Sequence, residues 1–532
     1  MTSASQKRLT LVAAILGLAV VIIDGTAVGV ALPDIEQDLG ATLADQQWIV
    51  NSYLLALASL LLVGGSLGDI FGRKRIYLMG LVGFGATSLL CGLAPNVELL
   101  IAFRALQGAA GALLVPGTLA IITAAFDADE RGQAIGQWAA WSGLAGALGP
   151  IVGGALVDGF GWRWVFLINV PVIAATVALT MRVVKESRDP TADRRLDVPG
   201  VVLAALGLGG VTYALIASPA AGWGDPVVLA ALALGVSGLV AFFVAEARSS
   251  HPLMPLHFFR QGNFAAANAA TLAVYAALSG AFFFIPIFLI EVSGFSALEA
   301  GFVLFPMTII MLVLSPRAGR WGDRFGPRWF MAGGPVVAAA GLLLLVRLDE
   351  NTDYFTDLLP ALVIFGVGLS LTVAPLTTTV MGAVEATHAG VASGINNMLS
   401  RVAGLLGIAV VGTLLATRFE AGLTADAPAD ATEDVQAALD DARDRPLAEP
   451  DLEGLDATTA ALVEMIVTDA SVSAFRVAIL AAAGLALLGG IISAIWIRNP
   501  QPADTEVREA CEACSRTGVV PVRPTTLTKE AP

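Results

Sequence analysis

Gly65–Lys74 reads GSLGDIFGRK, and Gly319–Arg328 reads GRWGDRFGPR. Each stretch follows a long apolar run and precedes another, so each is a short hydrophilic turn between two hydrophobic segments, and its recurrence marks an internal duplication. The surrounding chain has 532 residues, 56% hydrophobic and only 14% charged, with a mean hydropathy of +0.77. That balance excludes a soluble globular domain. A bilayer core of about 30 Å takes about 20 apolar residues per helix, and fourteen apolar stretches lie between residues 9 and 497. One copy of the turn follows the second stretch and the other follows the tenth. With six helices per repeat, the second repeat starts at the ninth stretch, and the seventh and eighth are an insertion. The expected fold is an all-α integral membrane protein, two six-helix bundles plus two inserted helices, embedded in the lipid bilayer. Its parts are an N-terminal bundle (1–184), the inserted pair with flanking loops (185–260), a C-terminal bundle (261–498) that includes an acidic external loop (417–470), and a disordered tail (499–532).

The first apolar stretch follows Lys7 and Arg8 but is too long for a signal peptide and carries Asp24, so it reads as a retained helix. Placing both termini in the cytoplasm puts 22 of the 30 Lys and Arg on that side, 5 outside and 3 within helices, a strong positive-inside pattern. The formal net charge of −14 comes largely from one loop, because residues 416–470 hold 14 acids against 3 Arg. A solvated, partly disordered acidic loop is the expectation there, rather than a specific cation site. Cys91 lies in the third stretch. Cys511 and Cys514 form a lone Cys-x-x-Cys in the tail, without the second pair a structural zinc site needs. No metal, other cofactor or nucleic-acid partner is expected. The four Lys, at 7, 74, 185 and 529, are not followed by Ser or Thr, so no P-loop exists. Any transport is driven by a gradient or by a separate ATPase.

Further local sequences carry a family likeness: DGTAVGVALP from Asp24 to Pro33, RALQG from Arg104 to Gly108, GPIVGG from Gly149 to Gly154, WRWVFLINVP from Trp162 to Pro171, and GINNMLSRVAGLLG from Gly394 to Gly407. With the repeated turn, they resemble the major facilitator superfamily, in its fourteen-helix drug:proton antiporter branch, the multidrug exporters of the quaternary-ammonium-resistance type. Two positions depart from the pattern: Gly29 stands where an Asn is usual, and Ile70 replaces a basic residue. The likeness implies a major facilitator fold working by alternating access, in a bacterial inner membrane, as a monomer and not as an enzyme. It implies export of amphipathic drugs or similar lipophilic small molecules in exchange for protons. In the turns it implies a conformational gate made of Gly65, Gly68, Asp69, Gly72 and Arg73, with Gly319, Asp323, Arg324 and Gly326. There Asp69 docks against the N-terminal end of a facing second-half helix. The residues themselves say that Gly68 and Gly72 permit unusual backbone angles, that Arg73, Lys74 and Arg75 hold the turn in the cytoplasm, and that a carboxylate at a helix C-terminus needs a partner. In the fifth helix, Gly149 and Gly153 form a small-xxx-small pair beside Pro150, which suits close packing. The likeness adds that this antiporter motif, with Gly154, seals against proton leak.

Intramembrane charges are the sharpest functional clue, because each costs about 2.5–3.5 kcal/mol on insertion scales. Asp24 is the only carboxylate well inside a helix. By helix rise it lies roughly 12 Å below the outer end of the first helix, and Arg104 roughly 9 Å below the same face in the fourth. A nearby cation favours an ionised carboxylate and burial without one favours the protonated form, so a conformational change suits Asp24 to carry the exchanged proton. Arg104 tunes it, through Gln107; a permanent ion pair is the alternative. A cavity near the midplane has as candidate lining Asn51, Tyr53, Gln107, Gln137, Trp138, Trp141, Asn268, Tyr275, Phe283, Asn396, Asn397 and Arg401. Such walls suit large lipophilic molecules, with cations drawn to aromatic faces, and a single core acid favours monovalent or neutral ones. Arg401 meets either a substrate or an internal carbonyl. Three other readings stand beside the proton-coupled drug exporter. One is a dedicated exporter of one native metabolite, lipid or antibiotic. Another is a proton-pumping respiratory subunit, disfavoured because no helix carries an internal Lys. The last is a sensor or scaffold, which needs no pair of gating turns.

Overall fold

A computed structural model of the chain describes residues 3–188, 197–249, 252, 254–385, 389–428, 431–452 and 454–499. Cys511, Cys514 and the expected tail beyond Asn499 lie outside these. The described residues form α1 (Ser3–Leu39), α2 (Leu43–Phe71), α3 (Arg73–Gly92), α4 (Val97–Ala125), α5 (Ala128–Phe160), α6 (Arg163–Leu167), α7 (Asn169–Val183), α8 (Val198–Ala221) and α9 (Pro226–Arg248). They continue with α10 (Gly262–Glu291), α11 (Ala297–Val303), α12 (Phe305–Phe325), α13 (Pro327–Leu344), α14 (Leu359–Gly382), α15 (Ala389–Asp426), α16 (Glu433–Ala442) and α17 (Ala457–Trp496). No strand occurs among the described residues, and 14 helical spans are long and apolar enough to cross a membrane, counting α6–α7 and α11–α12 as one each.

Capping chemistry sets many of the ends. Thr42 and Asp45 form a capping box at α2, Ser296 and Glu299 another at α11, and the side chains of Asn96, Asp225 and Asp456 cap α4, α9 and α17. These satisfy backbone N–H groups that a helix start leaves open. The repeated turns differ from their expected form. Gly65–Phe71 is still helical, and so is Gly319–Phe325; one glycine breaks each helix, Gly72 at φ 116° and Gly326 at φ 88°. Gly68 stays inside α2, so Gly72 alone supplies the left-handed backbone that a side chain resists. The expected acidic loop 417–470 is mostly ordered helix, because α15 runs to Asp426 and α17 begins at Ala457. Between them α16 buries Val435, Leu439 and Ala442 and leaves its acids outside. Charge counting alone hides that amphipathic face.

The duplication is visible in how each half fastens its turn. The Glu186 carboxylate, just after α7, accepts from the backbone N–H of Lys74 (3.0 Å) and Arg75 (3.2 Å) at the start of α3. In the second half Asn499, just after α17, accepts from Arg328 N–H (3.0 Å) at the start of α13. Each last helix thus caps the third helix of its own half.

In the first half α1 packs on α4, α5 and α7, and α4 on α2 and α3; in the second, α10 packs on α15 and α17, and α14 on α12 and α13. The pair α8–α9 lies outside, with α8 along the seam between α2 and α15. The halves also meet where α5 crosses α11. There a side chain on Gly154 would overlap the backbone of Ala297, and one on Gly301 the backbone of Pro150. The Asp158 carboxylate caps the second-half helix α11, accepting from Ala297 N–H (3.1 Å) and Leu298 N–H (3.0 Å). This end, which also carries α16, is closed. At the opposite end the two repeated turns share no hydrogen bond or ion pair among the described residues, and Phe71 and Phe325 are 49% and 59% exposed.

Candidate functional site

Asp24, on α1, is completely buried, and every part of its carboxylate is engaged. Arg104 Nη1 of α4 lies 2.6 Å from Oδ2. Oδ1 accepts from Gln107 Nε2 of α4 (3.0 Å) and from Asn169 Nδ2 of α7 (2.9 Å). Arg104 is 1% exposed and donates also to Gln107 Oε1 (2.6 Å) and to the Ile49 carbonyl of α2 (3.1 Å). Ser88 of α3 completes the cluster: it accepts from Gln107 (3.3 Å) and Asn169 (3.0 Å) and donates to the Phe166 carbonyl (2.9 Å). Six helices contribute to the network around one carboxylate. A buried ion pair survives desolvation only when its remaining donors and acceptors are satisfied, and this network meets that condition.

The expected shared depth of Asp24 and Arg104 is thus realised as direct contact, with Gln107 between them. Asn169 is not among the residues the sequence singles out. It sits at the start of α7, just past the break after α6 and two residues before Pro171, a polar residue at an interruption in an apolar run.

Tyr53 separates this cluster from open space. Its ring lies 4.2 Å from the Arg104 guanidinium carbon, a cation–π stack, and it also lines a central cavity of about 270 Å³ between the halves. The rest of that wall comes from α1 (Gly25, Thr26), α5 (Gly146, Pro150), α10 (Phe282, Phe283, Pro286), the α11–α12 segment (Leu304, Met307) and α15 (Arg401, Ile408). Of the twelve residues expected to line a cavity, Tyr53, Phe283 and Arg401 do so. Gln107 belongs to the ion-pair cluster instead. Asn51 is fully buried, and neither amide atom has a partner among the described residues. Asn396 donates to Asn268 (3.1 Å) and to Thr271 (2.8 Å), tying α15 to α10. Trp138 Nε1 donates to Thr118 (3.2 Å) inside the first half. Gln137 and Trp141 line a separate cleft with Lys7 and Arg8 at the end of α1. Tyr275 lies near Arg401 on α10, and Asn397 is exposed.

The glycines of α5 divide their work. Gly149 and Gly153 abut Thr26 and Ala27 of α1, within the first half, whereas Gly154 faces α11 across the interface. Gly301 and Asp158, its companions there, are further positions that the sequence does not single out. At the turns, Asp69 is paired with Arg73 (2.8 Å) one helical turn on, and no second-half helix receives it among the described residues. Its expected docking is absent while the opposite end is closed. Asp323 is exposed and has no such partner, since Pro327 stands where Arg73 does, and Arg324 lies over its neighbour Phe325. Gly65 and Gly319 pack at matching places, against Pro116 and Ala374.

Comparison with known proteins agrees with this architecture. The tetracenomycin C resistance and export protein of Streptomyces glaucescens is 35% identical over 510 residues, covering 94% of this chain and 93% of that one. The puromycin resistance protein pur8 of Streptomyces alboniger is 38% identical over 402 residues, 74% of this chain and 79% of its own. A bacterial homologue of the human lysosomal transporter Spinster, crystallised inward-facing and unoccupied, shares the fold at a TM-score of 0.63 and 16% identity, over 93% of this chain and 99% of that one. Residues 14–408 match the family model of the Major Facilitator Superfamily. On its fourteen helical spans, its duplicated turn and this match, the chain is a multi-pass membrane protein that belongs to the Major Facilitator Superfamily.

Proposed function

We propose that the protein is a proton-coupled exporter of amphipathic small molecules, with Asp24 as the proton carrier. The observation that carries this reading is the Asp24 cluster, a carboxylate sealed from water and divided from the cavity by one aromatic ring. Exchange needs a group whose protonation excludes or admits substrate. Protonating Asp24 removes the charge that Arg104, Gln107 and Asn169 are arranged to hold, leaving Arg104 as an uncompensated buried cation. Breaking such a pair costs about 3–5 kcal/mol, enough to favour rearrangement of α1 against α4 and, through Tyr53, of the cavity wall. The names of the relatives, resistance and export proteins, support outward transport of small molecules.

By the positive-inside distribution, the termini and the two glycine-broken turns face the cytoplasm and α16 faces outward. The arrangement is then closed on the outside, and the Gly154–Gly301 crossing, with Asp158 of α5 capping α11, is the outer seal. The cytoplasmic gate formed by Asp69 and the turns engages when that seal opens. A proton-pumping respiratory subunit falls with membership of this family. The test is proton movement in everted vesicles on addition of amphipathic compounds, with wild type beside Asp24→Asn. Substrate-dependent dissipation of the pH gradient, lost in a folded Asp24→Asn protein, is expected. Dissipation retained in the variant overturns Asp24 as carrier.

A further inference from the structure

Arg401 lies on α15 and is the one charged side chain among those lining the central cavity. Its guanidinium offers five N–H donors, yet it makes no hydrogen bond, ion pair or cation–π contact among the described residues. The other polar groups of the wall do not answer it. Thr26 donates to the Ile22 carbonyl (2.9 Å) of its own helix and Thr308 to the Leu304 carbonyl (3.3 Å), and Ser279, also in the wall, makes no hydrogen bond to Arg401 among the described residues. Asp24 is held by Arg104 behind the Tyr53 ring and balanced there. The cavity therefore carries one uncompensated positive charge in a wall of Phe282, Phe283, Pro286, Met307 and Ile408.

Arg401 is half-buried, an arginine keeps its charge in such a setting, and a cation in an apolar wall is costly unless something pairs with it. No residue described here does so, and a ligand can. We infer that the molecule this cavity takes is an amphipathic anion, with a flat apolar or aromatic body against Phe282, Phe283 and Tyr53 and a carboxylate or similar planar anionic group held in a forked pair by Arg401. This inference rests on the export reading above and narrows its substrate class. It also reverses the expectation that aromatic walls here attract cations: the facing charge is positive, and Arg104 already occupies one face of Tyr53. A forked guanidinium–carboxylate pair is among the stronger charge-assisted contacts. Export of one anion against one incoming proton moves two charges per cycle, so the membrane potential contributes twice.

The test uses the full-length protein in nanodiscs and three probes on one ring system: anthraquinone-2-carboxylate, its carboxamide and its aminomethyl ammonium analogue. Dissociation constants are read from tryptophan quenching for wild type, Arg401→Gln and Arg401→Lys. Hydrogen bonds to charged groups imply that wild type binds the carboxylate about ten- to hundredfold more tightly than the carboxamide, with the ammonium weakest. In Arg401→Gln the carboxylate preference collapses while carboxamide binding stays, and Arg401→Lys keeps an intermediate preference. Removing an unpaired charge from an apolar wall does not threaten folding, and a thermal melt checks this. Equal binding of carboxylate and carboxamide by wild type, preference for the ammonium, no binding of any probe to folded protein, or a preference that survives in Arg401→Gln overturns the inference. Proton-driven flux in proteoliposomes separates the two readings. Binding preference without flux leaves the anion site standing and removes the export reading; flux that ignores probe charge and Arg401 does the reverse.

Discussion

Replacing Gly154 by Ala should shift the balance between the two access states. A Cβ at Gly154 would sit 2.6 Å from both the Ala297 carbonyl carbon and the Leu298 Cα, with the Ala297 oxygen closer still. These are backbone atoms at the start of α11, so they do not swing aside as a flexible side chain would. Overpacking of this kind costs about 1–3 kcal/mol, and it is incurred only where α5 and α11 are in contact. At about 1.4 kcal/mol per tenfold, the ratio of molecules closed to molecules open at the α16 end falls by roughly 5- to 150-fold. An equilibrium of about 99:1 then moves to between about 95:5 and 40:60. Spin labels at Phe160→Cys and Asn351→Cys report the α16 end, and labels at Phe71→Cys and Phe325→Cys report the turn end; all four positions are exposed. Cys91 is buried, so only Cys511 and Cys514 need replacing by Ser. Pulsed electron paramagnetic resonance should show a longer Phe160–Asn351 separation and a shorter Phe71–Phe325 separation gaining weight. Gly159→Ala is the control, because a Cβ there meets nothing within 4 Å. Unchanged distance distributions in a folded Gly154→Ala protein, or the same shift in Gly159→Ala, would refute the reasoning.

Asn169→Leu keeps the number and branching of side-chain heavy atoms but removes donors to Asp24 and Ser88. A hydrogen bond to a charged group contributes about 1.5–3 kcal/mol, so a lowered thermal midpoint and reduced proton-coupled flux are expected; a variant matching wild type in both denies Asn169 a place in the cluster. At the turn end Lys7 lies 2.7 Å from Asp127 and 2.5 Å from Glu130, joining the start of α1 to that of α5. The hydrogen bond from Lys7 holds the Asp127 carboxyl below its ordinary 3.8. A depressed carboxylate contributes its stability above the ordinary value and loses it as pH falls through the lower folded one. Lys7→Met should therefore melt below wild type by a difference that is constant from about pH 8 to 5 and closes only below about pH 4; a difference already gone at pH 6 contradicts the link.

The Asp24–Arg104 pair is legible from sequence because a membrane makes charge expensive, so two lone charges at one depth in neighbouring helices have few reasons to exist apart. The duplicated turns are legible because polar residues between apolar runs are conspicuous. The cavity is much less so: Tyr53, Phe283 and Arg401 reach it, whereas Gln137, Trp138, Trp141, Asn268 and Asn396 pack or open elsewhere. In a soluble helix the apolar stripe tells which face turns inward. Here lipid and core are both apolar, and that signal vanishes. Asn169, Asp158 and Gly301 escape for a related reason. The roles of Asp158 and Gly301 come from a crossing between halves about 140 residues apart, which leaves no local pattern, whereas Asn169 owes its role to a helix break whose local sign is a single polar residue in an apolar run.

The segment around α16 has a mechanical consequence. It is rooted in the second half, where Val435 and Leu439 join the core that includes α17, and it reaches the first half, where Leu43 N–H donates to the Asp444 carbonyl (3.0 Å). Leu447, the one described non-glycine residue with positive φ (78°), is buried close by. Any movement that parts the helices at this end must break that link or drag the segment off its seat. The α16 segment therefore acts as a clasp across this end. It weights the resting equilibrium toward closure and makes the unfastening of α16 a candidate for the slow event of the cycle.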